Sequence, residues 1–182
     1  MTVGLPDSMD SGWTHSMIPV RRLVGGPLDW EAKLPREGPL WSGTDLTFAE
    51  DPTVRLVAER SPDGAVHAVG TLAATYRLAC RRCLKEMSHA VRLPVDVWFE
   101  PSVDDDSGDE AVYAMAADAT SIDLAPALRD ELILALPEYP VCRADCPGLC
   151  PGCGADLSVE ACVCPPRGGD PRWAALRAVK DE

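Results

Sequence analysis

The sequence predicts an α+β protein, built as an antiparallel β meander or half-open barrel with one packed helix and a cysteine-rich C-terminal module. Three observations support this prediction. Apolar residues alternate with other residues from Thr53 to Phe99, one amphipathic segment follows Asp123, and six of the eight cysteines lie between Cys142 and Cys164. The sheet and the helix are thus expected to precede the cysteine-rich module along the chain.

The chain has 182 residues, of which 46% are hydrophobic and 25% charged, enough for one domain with a packed core. No apolar run approaches the roughly 20 residues that a membrane span requires. Residues 1–16 mix Gly, Pro, Ser and Asp, which indicates a flexible tail and lacks the pattern of a signal peptide. We therefore expect a cytoplasmic protein, in a reducing compartment where clustered cysteines bind metals more often than they form disulfides.

Three strands are predicted in the middle of the chain. The first begins at Thr53 and ends before the turn Ser61–Gly64, whose Asp-Gly pair is a strong hairpin signal. The second covers Val66–Cys80, and the third covers Ala90–Phe99. The Cys80-Arg-Arg-Cys83 motif is therefore expected at the tip of a hairpin.

Other segments carry weaker patterns. Punctuating glycines and prolines make Ile18–Leu46 irregular, with a short strand or helix, and Gly70 marks a bulge or bend in the second strand. A helix is predicted from Asp123, as its N-cap, to Leu136. A second, short helix is predicted to begin at Asp170.

The predicted organisation has three parts. Residues 1–16 form the tail, and residues 17–140 form the α+β core with an acidic loop at 101–118. Residues 141–182 form the cysteine-rich segment and the C-terminal helix.

The charge distribution is uneven. With 17 basic and 29 acidic residues the net charge is −12, which argues against a general nucleic-acid binder and suits a basic partner. Residues 77–92 nevertheless contain five basic residues and one acid, whereas residues 93–118 contain eight acids and no base. The basic side chains near the hairpin tip that are candidates for contact with RNA phosphate are Arg77, Arg81, Arg82 and Lys85.

The cysteine spacing predicts a zinc-knuckle module. In Cys150-Pro-Gly-Cys153-Gly154, two thiolates lie on one tight turn, and Gly154 suits a left-handed backbone that points N–H groups at the sulfurs. The three histidines lie outside the cluster, so an all-cysteine zinc site is expected. The candidate ligands are Cys142, Cys146, Cys150, Cys153, Cys162 and Cys164, together with Cys80 and Cys83.

Two arrangements of these ligands are compatible with the sequence. In the first, one zinc ion binds Cys150 and Cys153 with one cysteine from the Cys142/Cys146 arm and one from the Cys162/Cys164 arm. In the second, two ions are bound, and Cys80 and Cys83 pair with Cys150 and Cys153 as in a zinc ribbon. The sequence does not choose between one ion and two.

Catalysis has little support in the sequence. No Gly-x-Ser-x-Gly elbow and no phosphate-binding glycine loop is present, so a non-enzymatic protein is expected. The alternative is a thiol-based redox protein or sensor that uses Cys80 and Cys83. A thioredoxin-like motif requires a strand-to-helix setting, however, and these cysteines are predicted between two strands.

Several motifs in order resemble the YceD family of large ribosomal RNA subunit accumulation proteins. The residues that carry the resemblance are Cys80-Arg-Arg-Cys83-Leu84, Ile122-Asp123-Leu124 leading to Pro137, Cys142-x3-Cys146-x-Gly-Leu-Cys150-Pro-x-Cys153-Gly-x-Asp-Leu157, and Asp170-Pro171-Arg172-Trp173. The resemblance covers the chain from about Ile18. It implies a non-enzymatic factor for 23S rRNA accumulation in large-subunit biogenesis, with a small basic ribosomal protein or the rRNA precursor as partner. Because some members of the family lack the C-terminal cysteines, it also implies that the metal stabilises this version of the fold.

Overall fold

The structure, a computed structural model, describes residues 16–101 and 112–165. The predicted tail and the predicted helix from Asp170 lie outside these residues, apart from Ser16 at the end of the tail. The chain divides into two compact units. The first contains the residues up to Leu78 and Met87–Glu138, and the second contains Ala79–Glu86 and the residues from Tyr139 onward. The hairpin tip thus belongs to the same unit as the C-terminal cysteines.

Seven strands and one helix are present in the described residues. In chain order they are β1 (Met17–Pro19), β2 (Leu28–Lys33), β3 (Thr53–Arg60), β4 (Val66–Ala79), β5 (Glu86–Glu100), β6 (Val112–Ala114), β7 (Ser121–Asp123) and α1 (Ala125–Leu134). A five-stranded sheet has the order β2-β3-β4-β5-β6, and β1 pairs with β7 in a small second sheet. The predicted α+β class, with one helix and clustered C-terminal cysteines, is confirmed.

Period-two alternation correctly predicted the central strands. Along β3, Val54, Leu56 and Ala58 are buried, and the residues between them are exposed. β3 pairs antiparallel with both β2 and β4. Only six residues separate β4 from β5, its neighbour in the sheet. Such a short connection permits only antiparallel pairing, because a parallel crossover needs about a dozen residues or more.

The β3–β4 pairing shows no bulge at Gly70, where the sequence suggested a bulge or bend. The β3–β4 register is continuous from Thr53 opposite Ala73 to Arg60 opposite Val66, with Leu56 opposite Gly70. The reason for the glycine is a close backbone approach. A Cβ atom at position 70 would lie 2.0 Å from the carbonyl oxygen of Arg55.

Short elements appear where the sequence predicted irregular structure. Strand β2 lies within the segment 18–46, which also contains 3₁₀ turns at Val20–Leu23 and Pro39–Trp41. Strand β6 lies within the predicted acidic loop 101–118 and pairs parallel to the end of β5, with Trp98 opposite Val112. The predicted loop is therefore wrong for residues 112–114, whereas residues 102–111 lie outside the described residues.

Helix α1 begins one residue later than predicted. Asp123 is the last residue of β7, and Leu124 is the N-cap residue. The Asp123 carboxylate still satisfies a free helix N–H group, because its Oδ1 accepts a hydrogen bond from the Ala125 backbone at 2.9 Å. Leu124, Leu128 and Leu132 are fully buried, so the predicted apolar stripe faces the core.

Tyr76 on β4 links the sheet to the end of this helix. Its side chain is fully buried, and its hydroxyl donates a 2.6 Å hydrogen bond to the carbonyl oxygen of Leu132. That carbonyl belongs to the last turn of α1, where backbone oxygens lack partners within the helix. Burial raises the pKa of Tyr76 to about 12, so the hydroxyl remains a donor at neutral pH.

Replacing Tyr76 with phenylalanine is expected to destabilise the first unit by about 2 kcal/mol, since it leaves the buried Leu132 carbonyl without its partner. Denaturant unfolding measures the change. Tyr113→Phe serves as the control, because the Tyr113 hydroxyl bonds Asp130 at an exposed site. An equal loss in the two variants would contradict the capping role of Tyr76.

No helix among the described residues is both long enough and apolar enough to cross a membrane.

Candidate metal centres

The turn after β4 has the geometry of a metal-binding knuckle. The Cys80 carbonyl oxygen accepts a hydrogen bond from Leu84 N–H at 2.9 Å, and Cys80 N–H donates to the Lys85 carbonyl at 2.9 Å. The N–H group of Arg82 lies 3.4 Å from the Cys80 sulfur. Leu84 has a left-handed backbone with φ 60°. These bonds hold Cys80 and Cys83 on one tight turn.

The turn at Cys150 repeats this pattern position by position. Gly154 N–H donates to the Cys150 carbonyl at 2.9 Å, and Cys150 N–H donates to the Ala155 carbonyl at 2.7 Å. Gly152 N–H lies 3.3 Å from the Cys150 sulfur, and Gly154 has φ 78°. The left-handed glycine and the N–H group directed at sulfur, both predicted from the sequence, are confirmed. The first Cys-x-x-Cys motif therefore adopts the same backbone as the second.

All eight cysteines fall into two groups of four thiols. In each group the four sulfurs lie within 4.8 Å of one another. The first centre consists of Cys80, Cys83, Cys142 and Cys146, and the second centre consists of Cys150, Cys153, Cys162 and Cys164. Each group could hold a metal ion.

The sulfur separations suit tetrahedral coordination of one ion. Sulfurs bonded to zinc at about 2.3 Å in a tetrahedron lie about 3.8 Å apart. In the first centre Cys80 and Cys146 are 3.9 Å apart, and Cys83 and Cys142 are 3.8 Å apart. In the second centre the sulfur of Cys162 lies 3.6 Å from that of Cys153 and 3.2 Å from that of Cys150. All four distances exceed the roughly 2.05 Å of a disulfide bond.

This grouping differs from both arrangements that the sequence suggested. The knuckle at Cys150 is completed by both cysteines of the Cys162/Cys164 arm, and neither Cys142 nor Cys146 joins it. Cys80 and Cys83 are grouped with Cys142 and Cys146, so the suggested pairing of the two knuckles in a zinc ribbon is wrong. The physical reason is that each arm curls locally and offers both of its sulfurs. Cys146 N–H bonds the Arg143 carbonyl at 3.1 Å, and Cys164 N–H bonds the Cys162 sulfur at 3.3 Å.

Each centre combines a readily ionised thiol with one that resists ionisation. Hydrogen bonds from the backbone, first of all from Cys83, lower the pKa of Cys80 to about 6, and a bond from the Cys153 backbone does the same for Cys150. Interaction with the Cys146 side chain raises the pKa of Cys142 to about 12, and Cys162 has this effect on Cys164. Four adjacent thiolates repel one another, so a bound cation is the natural counter-charge.

The basic residues predicted to contact RNA differ in their surroundings. The Arg82 guanidinium donates to the carbonyls of Ala144 and Cys146, at 3.2 and 2.9 Å, and so braces the arm of the first centre. Lys85 forms a 2.7 Å ion pair with Asp156. Arg81 lies over the ring of the exposed Tyr139, and Arg77 is an exposed residue of β4. Arg82 and Lys85 therefore have hydrogen-bonded partners within the protein, and Arg81 has a ring contact.

Two further residues of this unit, Gly148 and Asp156, belong to the motif that carries the family resemblance, but the sequence assigned neither a structural role. Gly148 has φ 77°, and a Cβ atom there would lie 2.9 Å from the Arg82 carbonyl oxygen, so only glycine fits without a shift. Asp156 accepts the ion pair from Lys85 and a 2.8 Å hydrogen bond from Ser158 N–H. The Pro-Gly pair before Cys150 was an available signal for Gly148. No local pattern identifies the partner of Asp156.

The Lys85–Asp156 ion pair is expected to slow metal loss from the second centre. The Lys85 ammonium is the main reason that the pKa of Asp156 falls to about 2. A lowered carboxyl pKa stabilises the folded state above the ordinary value near 4, and this contribution is lost as the pH falls towards 2. At pH 7, Asp156→Asn is expected to release metal to a chelator a few-fold faster. The exposed Glu160→Gln is the control, and equal rates in the two variants would contradict the role of the pair.

Leu84 occupies the position that glycine occupies in the second knuckle. A left-handed backbone is unfavourable for a residue with a Cβ atom, and the Leu84 side chain is 65% exposed. Leu84→Gly is expected to stabilise the metal-bound protein by about 0.5 to 1 kcal/mol, after the entropic cost of glycine. Thermal unfolding tests this, with Leu84→Ala as a control that keeps the Cβ atom. If the alanine variant were also more stable, the effect would come from removal of the exposed leucine side chain and not from the backbone conformation at position 84.

Of the two histidines within the described residues, His67 lies on the sheet of the first unit. Its Nε2 is 2.7 Å from Asp96 Oδ1, and its ring stacks on Trp98. Neither His67 nor His89 belongs to a four-thiol centre. His15 lies outside the described residues.

Comparison with known proteins identifies relatives over part of the chain. Uncharacterized proteins of Mycobacterium bovis and Mycobacterium tuberculosis are each 39% identical over 115 residues, which cover 59% of this chain and 52% of theirs. An uncharacterized protein of Mycobacterium leprae is 36% identical over 109 residues, covering 59% and 49%. The chain thus spans about half the length of the curated relatives it matches. No solved structure matches it.

The sequence profile of a family described as "Large ribosomal RNA subunit accumulation protein YceD" matches residues 68–180. The matched region contains both knuckles and both cysteine arms, and it begins later than the Ile18 that the motifs suggested. It covers more than half of the chain. The chain therefore belongs to the YceD family.

Proposed function

We propose that this protein is a non-enzymatic, cytoplasmic factor for biogenesis of the large ribosomal subunit and that it supports accumulation of 23S rRNA. The observation that carries the proposal is membership of the YceD family, whose description names large ribosomal RNA subunit accumulation. The matched region includes all eight cysteines, so the proposal concerns the part of the chain that contains both candidate centres.

Each four-thiol centre is proposed to hold one zinc ion with a structural role. An all-thiolate tetrahedral set is typical of structural zinc, and the sulfur separations suit a single ion. The described residues of the second unit include long stretches without helix or strand. Metal coordination would there replace much of the apolar burial that stabilises an ordinary domain. Elemental analysis of purified protein should give two zinc ions per chain. One ion, or iron in place of zinc, would contradict this assignment.

The proposed direct partner is a basic ribosomal protein of the large subunit. The net charge of −12 favours a basic partner. Two of the basic residues that could contact phosphate, Arg82 and Lys85, instead brace the second unit internally. The rRNA precursor is the second candidate, with Arg77 and Arg81 as the side chains available to contact it.

The alternative function, thiol-based redox chemistry at Cys80 and Cys83, has weaker support. Both residues are buried, with exposures of 0% and 5%, and each sulfur has a thiol of the Cys142/Cys146 arm within 4 Å. The knuckle lies between two strands and lacks the helix N-terminus that activates a thioredoxin-like thiol. A reversible Cys80–Cys83 disulfide in zinc-loaded protein would favour this alternative.

Deletion of the gene in its own host tests the main proposal. The expected result is a lower ratio of 23S to 16S rRNA and an accumulation of incomplete large subunits. Complementation with the unmodified gene should restore the ratio. An unchanged ratio in the deletion strain, at growth rates where subunit assembly is limiting, would contradict the proposal.

Affinity capture from cell extract at moderate salt distinguishes the partners. Arg77 and Arg81 should be changed to glutamate together, because changing Arg82 would also disturb the first centre. Retained capture of a basic ribosomal protein after nuclease treatment supports the protein partner. Capture that is lost both with nuclease and in the double variant would instead indicate the rRNA precursor.

A further inference from the structure

The two candidate centres differ in how far their cysteine residues are exposed to solvent. In the first centre, Cys80, Cys146 and Cys83 have exposures of 0%, 2% and 5%, and only Cys142 is exposed. In the second centre, Cys153 and Cys164 are exposed, Cys162 is partly exposed, and Cys150 alone is buried. A small oxidant in solution therefore meets the sulfurs of the second centre first.

The second centre also places a reaction partner beside an exposed sulfur. The sulfur of Cys162 lies 3.6 Å from that of the exposed Cys153, and only nine positions separate the two residues. Neither Cys153 nor Cys162 lies in a helix or a strand, so the two sulfurs can approach bonding distance without disrupting regular secondary structure. Accessible thiolates with a second cysteine nearby are typical of oxidation-sensitive sites.

We propose that the second centre is a site of reversible oxidation by peroxide, in which Cys153 and Cys162 form a disulfide and the bound zinc ion is released. The first centre keeps its ion under the same conditions because three of its four cysteine residues are buried. The proposal rests on the zinc assignment of the proposed function. It adds a modification site within this protein and does not depend on its partner.

The chemistry balances with hydrogen peroxide as the oxidant. The Cys153 thiolate attacks one peroxide oxygen, the O–O bond breaks, and hydroxide leaves, so that the sulfur becomes a sulfenic acid. The Cys162 thiolate then attacks that sulfur, an S–S bond forms, and a second hydroxide leaves. In total two thiolates lose two electrons, and one peroxide is reduced to two hydroxides. Two of four ligands are then lost, which leaves too few to retain the ion.

Zinc release under peroxide tests the proposal. Fully loaded protein is treated with stepwise amounts of hydrogen peroxide in the presence of a colorimetric zinc chelator, and disulfides are mapped by mass spectrometry. One zinc ion per chain is expected to leave about ten-fold faster than the other, following the difference in sulfur accessibility. The first disulfide formed should join Cys153 to Cys162. A thiol reductant with added zinc should restore the second ion.

A Cys162→Ala variant provides an independent measurement. In this variant the Cys153–Cys162 disulfide cannot form, and only Cys150 and Cys164 remain beside Cys153. Cys153 should therefore persist longer as the sulfenic acid and react more with a sulfenic-acid trap than it does in the unmodified protein. Equal release of both ions, a first disulfide that contains Cys80 or Cys83, or a second centre that binds no zinc would each overturn the proposal. None of these readouts depends on rRNA levels, so the proposal can fail while the biogenesis role stands.

Discussion

Replacing Cys146 with serine is expected to lower the zinc content from two ions per chain to one. Cys146 is a buried member of the first centre, and its sulfur lies 3.9 Å from that of Cys80. Removing it leaves three thiolates and releases the 142–146 arm from the hairpin tip. The remaining ion belongs to the second centre, whose four cysteines do not include this residue. Elemental analysis after dialysis against a weak chelator measures the change.

The matched variant is Cys162→Ser, which should also leave one ion, but in the first centre. Hydrogen exchange distinguishes the two variants, since each should lose protection only around its own knuckle, at 80–85 or at 150–155. Loss of both ions from either variant would show that the centres do not bind independently. Full retention of zinc after the loss of either cysteine would contradict the assignment of ligands.

Gly70→Ala is expected to destabilise the first unit by about 3 kcal/mol, which is large for the addition of one methyl group. The new Cβ atom would lie 2.0 Å from the Arg55 carbonyl oxygen and 2.8 Å from the Leu56 Cα atom. These are backbone atoms of a paired strand, so they move only if the β3–β4 pairing opens. Denaturant unfolding followed by far-ultraviolet circular dichroism measures the loss.

Thr71→Ala on the same strand is the control, since Thr71 already carries a Cβ atom and lies opposite Arg55 in the register. Its effect should remain within about 1 kcal/mol. If Gly70→Ala were equally mild, the close approach of the two strands would not be a constraint in solution.

Local patterns predicted the parts of this protein that depend on local physics. Alternation of apolar residues identified β3, β4 and most of β5, because one face of each strand packs against the core. The spacing of Cys150, Cys153 and Gly154 identified the second knuckle, because a four-residue turn determines its own backbone.

Features that depend on distant partners were predicted poorly. Strand β6 has three residues, too few to show a period, and its parallel pairing with β5 depends on the tertiary fold. Each knuckle can accept either cysteine arm as far as spacing is concerned, so the sequence did not reveal the grouping of ligands. Lys85 appeared to be a free basic residue, because its partner Asp156 lies 71 positions further along the chain.

The separation of ligands along the chain has a consequence for folding order. In the first centre, Cys83 and Cys142 are 59 positions apart, whereas in the second Cys153 and Cys162 are nine positions apart. Closing the longer loop costs about 1.7 kcal/mol more in chain entropy. During synthesis, Cys80 and Cys83 are also made before the 142–146 arm, so the first centre lacks half of its thiols until that arm has been made. The second centre can therefore form within one short segment, whereas the first can form only after residues far apart along the chain have come together.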